Sequence, residues 1–265
     1  MSESVDTNGA RLLRFASLGS GSKGNATLIC DGETRLLVDC GFTLKEAEQR
    51  LARLGLHARQ LDAILVTHEH GDHVRGAGAL ARRYDLPVYL TPGTWLSGKL
   101  GRLARRHWIT PQSTFAIKGI EIEPITVPHD AREPVQFRVS AHQRRLGLLT
   151  DLGYASDHVR QAFNGCDALL LECNHDRRML AEGPYPPGLK RRVGGNWGHL
   201  ANVQAAELLR QLGLDRLQHI VCSHLSEQNN RPELALEALT PLLDGDDSRL
   251  TVAAQDDGLD WQVIH

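Results

Sequence analysis

The chain has 265 residues, 41% apolar and 23% charged, with a formal net charge of -2. That length suits one large domain or two small ones, and the apolar fraction excludes intrinsic disorder, since burial can offset the ordering entropy. No run approaches the ~18 apolar residues of a membrane span, residues 1–15 carry no hydrophobic signal core, and near-neutral charge argues against a general nucleic-acid coating protein.

Residues 1–10 are polar and expected to form a flexible N-terminal segment ahead of one domain over residues 11–265. Strands are expected at residues 12–18, 26–30 and 36–39, with turns at residues 19–24 and 31–32. Thr43, Leu44, Lys45 and Glu46 spell a capping box. In the helix it opens, Leu44, Ala47, Leu51 and Leu54 share a face, and Gly55 stops it. Residues 62–66 read as a buried strand that runs into a histidine cluster. A helix is expected over residues 74–84, a strand over 87–90 and a basic helix over 95–108. The middle is β-rich, at residues 114–117, 120–127, 135–141 and 145–150. Ser156 caps a short helix to Phe163, and residues 168–173 form a buried strand. Residues 183–198, dense in Gly and Pro, are expected as a long loop. Asn202 caps a helix to Leu212, residues 219–222 form a strand, 232–243 a helix, and 250–254 and 261–264 the last strands. Hairpins interleaved with single helices suggest two mixed sheets packed together with helices outside.

The five cysteines are odd in number, well separated and lack a C-x-x-C pair, which fits small buried apolar residues in a reducing cytoplasm. The anomaly is thirteen histidines. Val66-Thr67-His68-Glu69-His70-Gly71-Asp72-His73 places three of them and an aspartate in six positions after an apolar strand. Neutral imidazoles and carboxylates suit first-row divalent ions. A tight turn there can send His68 and His70 one way and Asp72 and His73 another, so one loop can serve two ions. Asp39, His129, Asp151 and His224 also follow apolar strands, and would converge at one sheet edge.

T-H-x-H-x-D-H, with an upstream V-D-C-G and later His, Asp and His at strand ends, resembles the metallo-β-lactamase superfamily over nearly the whole chain. The resemblance implies an α/β (α+β) fold, a four-layer αββα sandwich with a dinuclear site at one edge of the sheets. It implies one ion held by His68, His70 and His129, a second held by Asp72, His73 and His224, and Asp151 bridging them. Asp39 would sit beneath the loop and orient it. Residues 18–26 (LGSGSKGNA), Leu171-Glu172-Cys173-Asn174-His175-Asp176, Leu189-Lys190-Arg191-Arg192, Gly198-His199-Leu200 and Ser223-His224-Leu225-Ser226 look like the YycJ/WalJ branch of exonucleases with this fold. Glu172, His199 and His224 are also similar to their counterparts in tRNase Z.

Two divalent ions ~3.5–4 Å apart lower the pKa of a bridging water and hold a phosphoryl oxygen. The expected reaction is therefore attack of a metal-bridging hydroxide on phosphorus. Asp72 would share in catalysis, and His199, oriented by Glu172, would protonate the leaving alkoxide. The nitrogen and oxygen donors accept zinc, manganese or iron. His175 is expected near the site without touching metal. Glu69 should brace the loop, and Asp176 should cap the next helix. Lys190, Arg191 and Arg192 are candidates for phosphate contacts. Ser20, Ser22 and Asn25 belong to a Gly/Ser loop whose N–H groups could cradle a phosphate. Trp197 and Tyr185 could stack on a base. The leading expectation is a 5′→3′ exonuclease with DNA favoured over RNA and no membrane partner. The alternatives are a small-molecule (cyclic) phosphodiesterase or a thioester, lactone or β-lactam hydrolase on the same fold.

Overall fold

The computed structural model of the protein describes residues 11–265, and the segment expected to be flexible, residues 1–10, lies outside the described residues. Six strands build most of the first sheet: β1 (Leu13–Gly19), β2 (Ala26–Cys30), β3 (Arg35–Val38), β4 (Ala63–Leu65), β5 (Val88–Leu90) and β6 (Arg106–Trp108). They run antiparallel from β1 to β3 and parallel from β3 to β6. The second sheet holds β7 (Phe115–Ile117), β8 (Ile120–Thr126), β9 (Val135–Ala141), β10 (Arg144–Leu149), β11 (Ala168–Glu172), β12 (His219–Ser223) and β13 (Leu250–Val252). It too is antiparallel in its first part and parallel from β10 to β13. The last strand, β14 (Leu259–Ile264), crosses back to pair antiparallel with β1, so each sheet has seven strands.

Three apolar clusters hold four layers together. Phe15, Leu65, Phe137 and Leu148 belong to the cluster between the sheets. Outside the first sheet, α1 (Leu44–Arg53) and α3 (Ala77–Tyr84) bury Ala47, Leu51, Ala77 and Leu80 against Leu28 and Ile64; α2 (Gly71–Val74) and α4 (Pro92–Trp95) are short turns at strand ends. Outside the second, α5 (Asp157–Phe163), α8 (Asn202–Gln211) and α9 (Pro232–Leu239) bury Phe163, Leu208 and Leu239. Between α5 and α8 lie α6 (Arg177–Glu182) and α7 (Pro187–Val193). Each fully buried Leu, Ile or Phe contributes roughly 1.5–3 kcal/mol of apolar transfer. The αββα sandwich expected from the sequence is the fold observed. Among the described residues no helix is long and apolar enough to cross a membrane, and all five cysteines are free and buried.

Local chemistry follows the expected signals in several places. Glu46 N donates to Thr43 Oγ1 at 3.4 Å while Thr43 N donates to Glu46 Oε2 at 2.9 Å. Ser156 and Asp176 cap α5 and α6. Four expectations are corrected. The helix expected over residues 74–84 is split at Gly76, where a Cβ would stand 1.9 Å from the Phe42 carbonyl oxygen. Residues 95–108 are not a helix: α4 ends at Trp95, Gly98 and Gly101 turn with φ of 72° and 65°, and the chain leaves as β6. Residues 183–198 are not all loop, because Pro187 at the first helical position starts α7. Asn202 is the first residue of α8 and not its cap; Ala201 N donates to the Gln204 side chain instead.

Candidate active site

Parallel strands of both sheets deliver their carboxyl ends to one edge. Asp39 follows β3, His68 follows β4, Asp151 follows β10 and His224 follows β12. Asp39, Asp151 and His224 have φ of 61°, 53° and 55°, in the left-handed region. Non-glycine residues are uncommon there, and such strain, of order 1–3 kcal/mol each, clusters at functional sites. The 67–74 segment is gripped from below by residues 25–41. Asn25 N donates to Asp72 O at 2.8 Å and Cys40 N to His73 O at 2.7 Å. Gly41 is required there, since a Cβ would lie 1.8 Å from Asp72 O.

Asp39 anchors the loop chemically. Its Oδ1 accepts from Thr67 N at 2.9 Å, and its Oδ2 accepts from Thr67 Oγ1 at 2.7 Å and faces His73 Nδ1 at 2.8 Å. Glu69 turns away and accepts from Arg132 N at 2.9 Å, bracing the loop.

The seven donors expected to hold metal are brought together. Ligand atoms of His68, His70 and His129 lie within 4.8 Å of one another, as do those of Asp72, His73 and His224. Asp151 stands between: its Oδ2 is 3.0 Å from His73 Nε2, and its Oδ1 is 3.8 Å from His129 Nε2 and 3.4 Å from His224 Nε2. His68 Nε2 and Asp151 Oδ2 are buried with no hydrogen-bond partner. Buried polar atoms are almost always partnered, so orphaned lone pairs on an imidazole and a carboxylate fit a divalent cation. Clusters of this kind suit a divalent metal.

The charges are strongly coupled. Burial opposes an imidazolium at His224, but Asp151, Asp72 and Glu172 outweigh it and raise the group to about 9. Burial also opposes charge at His73, and Asp151, Asp72 and Asp39 hold it well above the ordinary value. Burial and the neighbouring His73 push His68 well below it, and burial lowers His129. Burial resists ionisation of Asp72, yet His73 and His224 bring it down to about 2.

Beside the donors, His199 Nδ1 lies 2.7 Å from Glu172 Oε1. Glu172 is fully buried, and its other oxygen accepts from Leu152 N at 2.8 Å and Leu200 N at 3.1 Å. Burial disfavours the imidazolium of His199, but the Glu172 carboxylate overcomes it and raises the pKa. His199 lines a cleft of about 300 Å³ with Ser22, Asp72, Tyr185, Leu189 and Arg192. His175 does not reach this cleft. It is buried beneath Gly194, its Nδ1 lacks a partner, and burial lowers its pKa to about 4.

The residues expected to bind substrate divide. Ser22 and Arg192 line the cleft, with Arg192 Nε donating to Asp130 Oδ2 at 2.5 Å. Lys190 Nζ donates to Ala181 O at 2.6 Å, and neither Lys190 nor Arg191 lines the cleft wall. Ser20 and Asn25 are buried. Ser20 Oγ accepts from His224 N at 2.7 Å, and Asn25 accepts from Gly21 N at 2.9 Å. The loop's N–H groups are largely used within the fold: Ser20 N bonds Ala254 O, Gly24 N bonds Gly21 O and Lys23 N bonds the Gln255 side chain. It shapes the site and is not an open phosphate cradle. Trp197 is 63% exposed, and its carbonyl accepts from Asp130 N at 2.9 Å.

Sequence reasoning missed Thr67 as the Asp39 partner, Asn174 and Gln255. Asn174 Nδ2 lies 3.2 Å from His224 Nδ1 and donates to His224 O at 3.0 Å. Polar residues flanking strand ends were the available signal for the first two; Gln255 had none.

Compared with known proteins, residues 34–222 match the beta-lactamase superfamily domain. The chain is 38% identical over 236 residues to exodeoxyribonuclease YycJ of Bacillus anthracis, covering 88% of this chain and 89% of that protein. It is 38% identical over 229 residues to exodeoxyribonuclease WalJ of Streptococcus pneumoniae, covering 84% and 85%. Its fold matches the metallo-β-lactamase fold protein YhfI of Bacillus subtilis with a TM-score of 0.75 at 16% identity, covering 95% and 99%.

Proposed function

This chain belongs to the beta-lactamase superfamily, and on that premise we propose that residues 11–265 form one domain that hydrolyses nucleic-acid phosphodiesters with two divalent ions, as a 5′→3′ DNA exonuclease. It is a metal-dependent hydrolase. The observation that carries the reading is the position of Asp151 between two three-donor groups, beside the cleft into which His199 faces. The identity to two proteins named exodeoxyribonucleases supports DNA as the substrate.

His68, His70 and His129 would hold one ion and Asp72, His73 and His224 the other, with Asp151 shared; zinc and manganese both suit this donor set. Bound divalent ions supply acidification of water and neutralisation of a phosphoryl oxygen. The protein's own residues do the rest. Asp39 fixes the His73 ring so that Nε2 faces the cluster. Asp72, whose side chain is 22% exposed, is placed to take a proton from the attacking water. Glu172 holds Nδ1 of His199, which leaves Nε2 to donate a proton to the departing alkoxide. Arg192, braced by Asp130, supplies a phosphate contact at the cleft rim.

The test is degradation of end-labelled single- and double-stranded DNA and RNA with manganese or zinc supplied, and Asp72→Ala/His73→Ala as the control. Stepwise loss of nucleotides from the 5′ end of DNA, absent in the control, is the expected result. Metal-loaded protein that leaves every polymer intact would move the substrate to a small phosphodiester or an acyl compound.

A further inference from the structure

Residues 86–120 contain no Asp or Glu but hold Lys99, Arg102, Arg105, Arg106 and Lys118, in a chain whose net charge is -2. The fold sets Arg106 against two aromatic rings at the free edge of the first sheet, with Lys99 and Arg102 exposed in the segment that joins those rings. β6 has one neighbour, β5, and all three of its residues are exposed. Residues alternate faces along a strand. His107 stacks on Tyr89 at 4.6 Å, and Arg106 and Trp108 take the opposite face. There the Arg106 guanidinium lies 4.4 Å from the ring centroids of both Trp95 and Trp108. Trp108 is 50% exposed and the adjoining Leu96 is 70% exposed. Among the described residues Arg106, Arg102 and Lys99 have no carboxylate partner, and Arg105 has only Asp85 at 3.9 Å.

This cluster adjoins the candidate active site. β6 lies two inter-strand steps from β4, about 10 Å along the sheet, and the parallel register sets Trp108 opposite Leu90, one residue beyond the Tyr89–Leu65 pair that precedes the histidine loop. A chain of hydrogen bonds links the two. Glu69, inside the loop, bonds Arg132 N, and the next residue, Glu133, accepts from Gly93 N at 2.7 Å at the start of α4, which ends in Trp95.

We propose that Trp95, Arg106 and Trp108, with Lys99 and Arg102, form a platform for the single-stranded part of a nucleic-acid substrate, holding nucleotides beyond the scissile one. The proposal rests on the nuclease reading above. The exposed Trp108 ring, backed by Arg106 and the half-buried Trp95, offers a surface on which any base can stack, and unpaired cations track the phosphates, a combination that binds strands without reading sequence. Electrostatic complementarity favours this polyanion over a second copy of a nearly neutral chain.

The test compares the metal-loaded wild type with Arg106→Ala/Trp108→Ala, two exposed positions outside the catalytic cleft. Anisotropy with a labelled phosphorothioate oligothymidylate of about 12 residues gives the Kd; turnover of the ordinary oligomer and of a thymidine dinucleotide gives KM and kcat. The expected result is at least about a 5-fold rise in Kd and KM for the oligomer, with a smaller salt dependence and unchanged kinetics on the dinucleotide. Unchanged oligomer binding in a wild type that cleaves DNA overturns the platform and leaves the nuclease. Equal losses on the dinucleotide, or a shift in oligomeric state by light scattering, overturn it in favour of a structural role or a self-association surface. A wild type that binds the oligomer through these residues but cleaves nothing keeps the platform and overturns the nuclease. A wild type that neither binds nor cleaves overturns both.

Discussion

Asp39 Oδ2 lies 2.8 Å from His73 Nδ1, and the same carboxylate holds the Thr67 hydroxyl and amide. One buried side chain therefore sets both the ring orientation of a candidate metal donor and the start of the loop that carries three others. Replacing Asp39 with Asn keeps the volume and removes the charge. Metal affinity should fall by about 10–100-fold, read by calorimetric titration of zinc. Affinity within twofold of the wild type would show that backbone contacts alone hold the loop.

The Glu172 carboxylate beside His199 raises the imidazole pKa and so favours the protonated form that a general acid needs. His199→Ala should retain metal by elemental analysis and lose about 10²–10⁴ in kcat. Activity should fall as pH rises through the His199 pKa. Glu172→Gln removes the carboxylate that raises it, so the alkaline limb of the kcat profile should move to lower pH. A limb that stays in place assigns it to another group.

The metal-free protein should respond to pH in the opposite sense to metal binding. His224 moves from the ordinary 6.5 to about 9 because Asp151, Asp72 and Glu172 outweigh its burial. That pairing stabilises the metal-free fold fully below about pH 6.5 and is lost as pH rises through 9. Protons on His224 and His73 compete with metal, so metal affinity should climb over the same window. Thermal unfolding with a chelator, and zinc titration in buffers of different ionisation enthalpy, read the two trends. Titration near pH 7 should release about one proton from His224, and His73 should add to it.

Gly41 should tolerate no side chain. A Cβ there would stand 1.8 Å from Asp72 O, so Gly41→Ala must push the metal-bearing loop aside. Overpacking of this kind costs about 1–3 kcal/mol or more, at least about 2 °C in Tm for a chain of this size, with a loss of bound metal. Gly188→Ala, where no atom lies within 4 Å, serves as the comparison and should keep both.

The candidate donors were legible as a group because they sit in the loops and turns that follow short apolar strands, a pattern that survives in one dimension. So were the capping box at Thr43 and the layered alternation of strands and helices. The helix break at Gly76 was hidden, since its cause is the Phe42 carbonyl thirty-four residues earlier in the chain. The residues 95–108 mimic a basic helix in composition; two left-handed glycines and an edge strand decide otherwise. The Gly/Ser loop read as an anion cradle because its N–H groups are numerous. Two of their partners, Ala254 and Gln255, lie more than 230 residues away. Local signals survived wherever a residue's role depends on its neighbours in sequence, and failed wherever a distant carbonyl or amide takes part.

The pairing of β14 with β1 has a consequence for the order of events during synthesis. β1 emerges from the ribosome well before its second neighbour, which is made of residues 259–264. His224, which faces Asp72 at 3.3 Å, is also late. A nascent chain therefore carries the histidine loop for most of translation without the last donor and with one side of β1 unpaired, an exposed edge of the kind that invites wrong partners. A chain that stops short of residue 224 lacks one candidate donor, and one that stops short of residue 259 leaves β1 paired on one side alone.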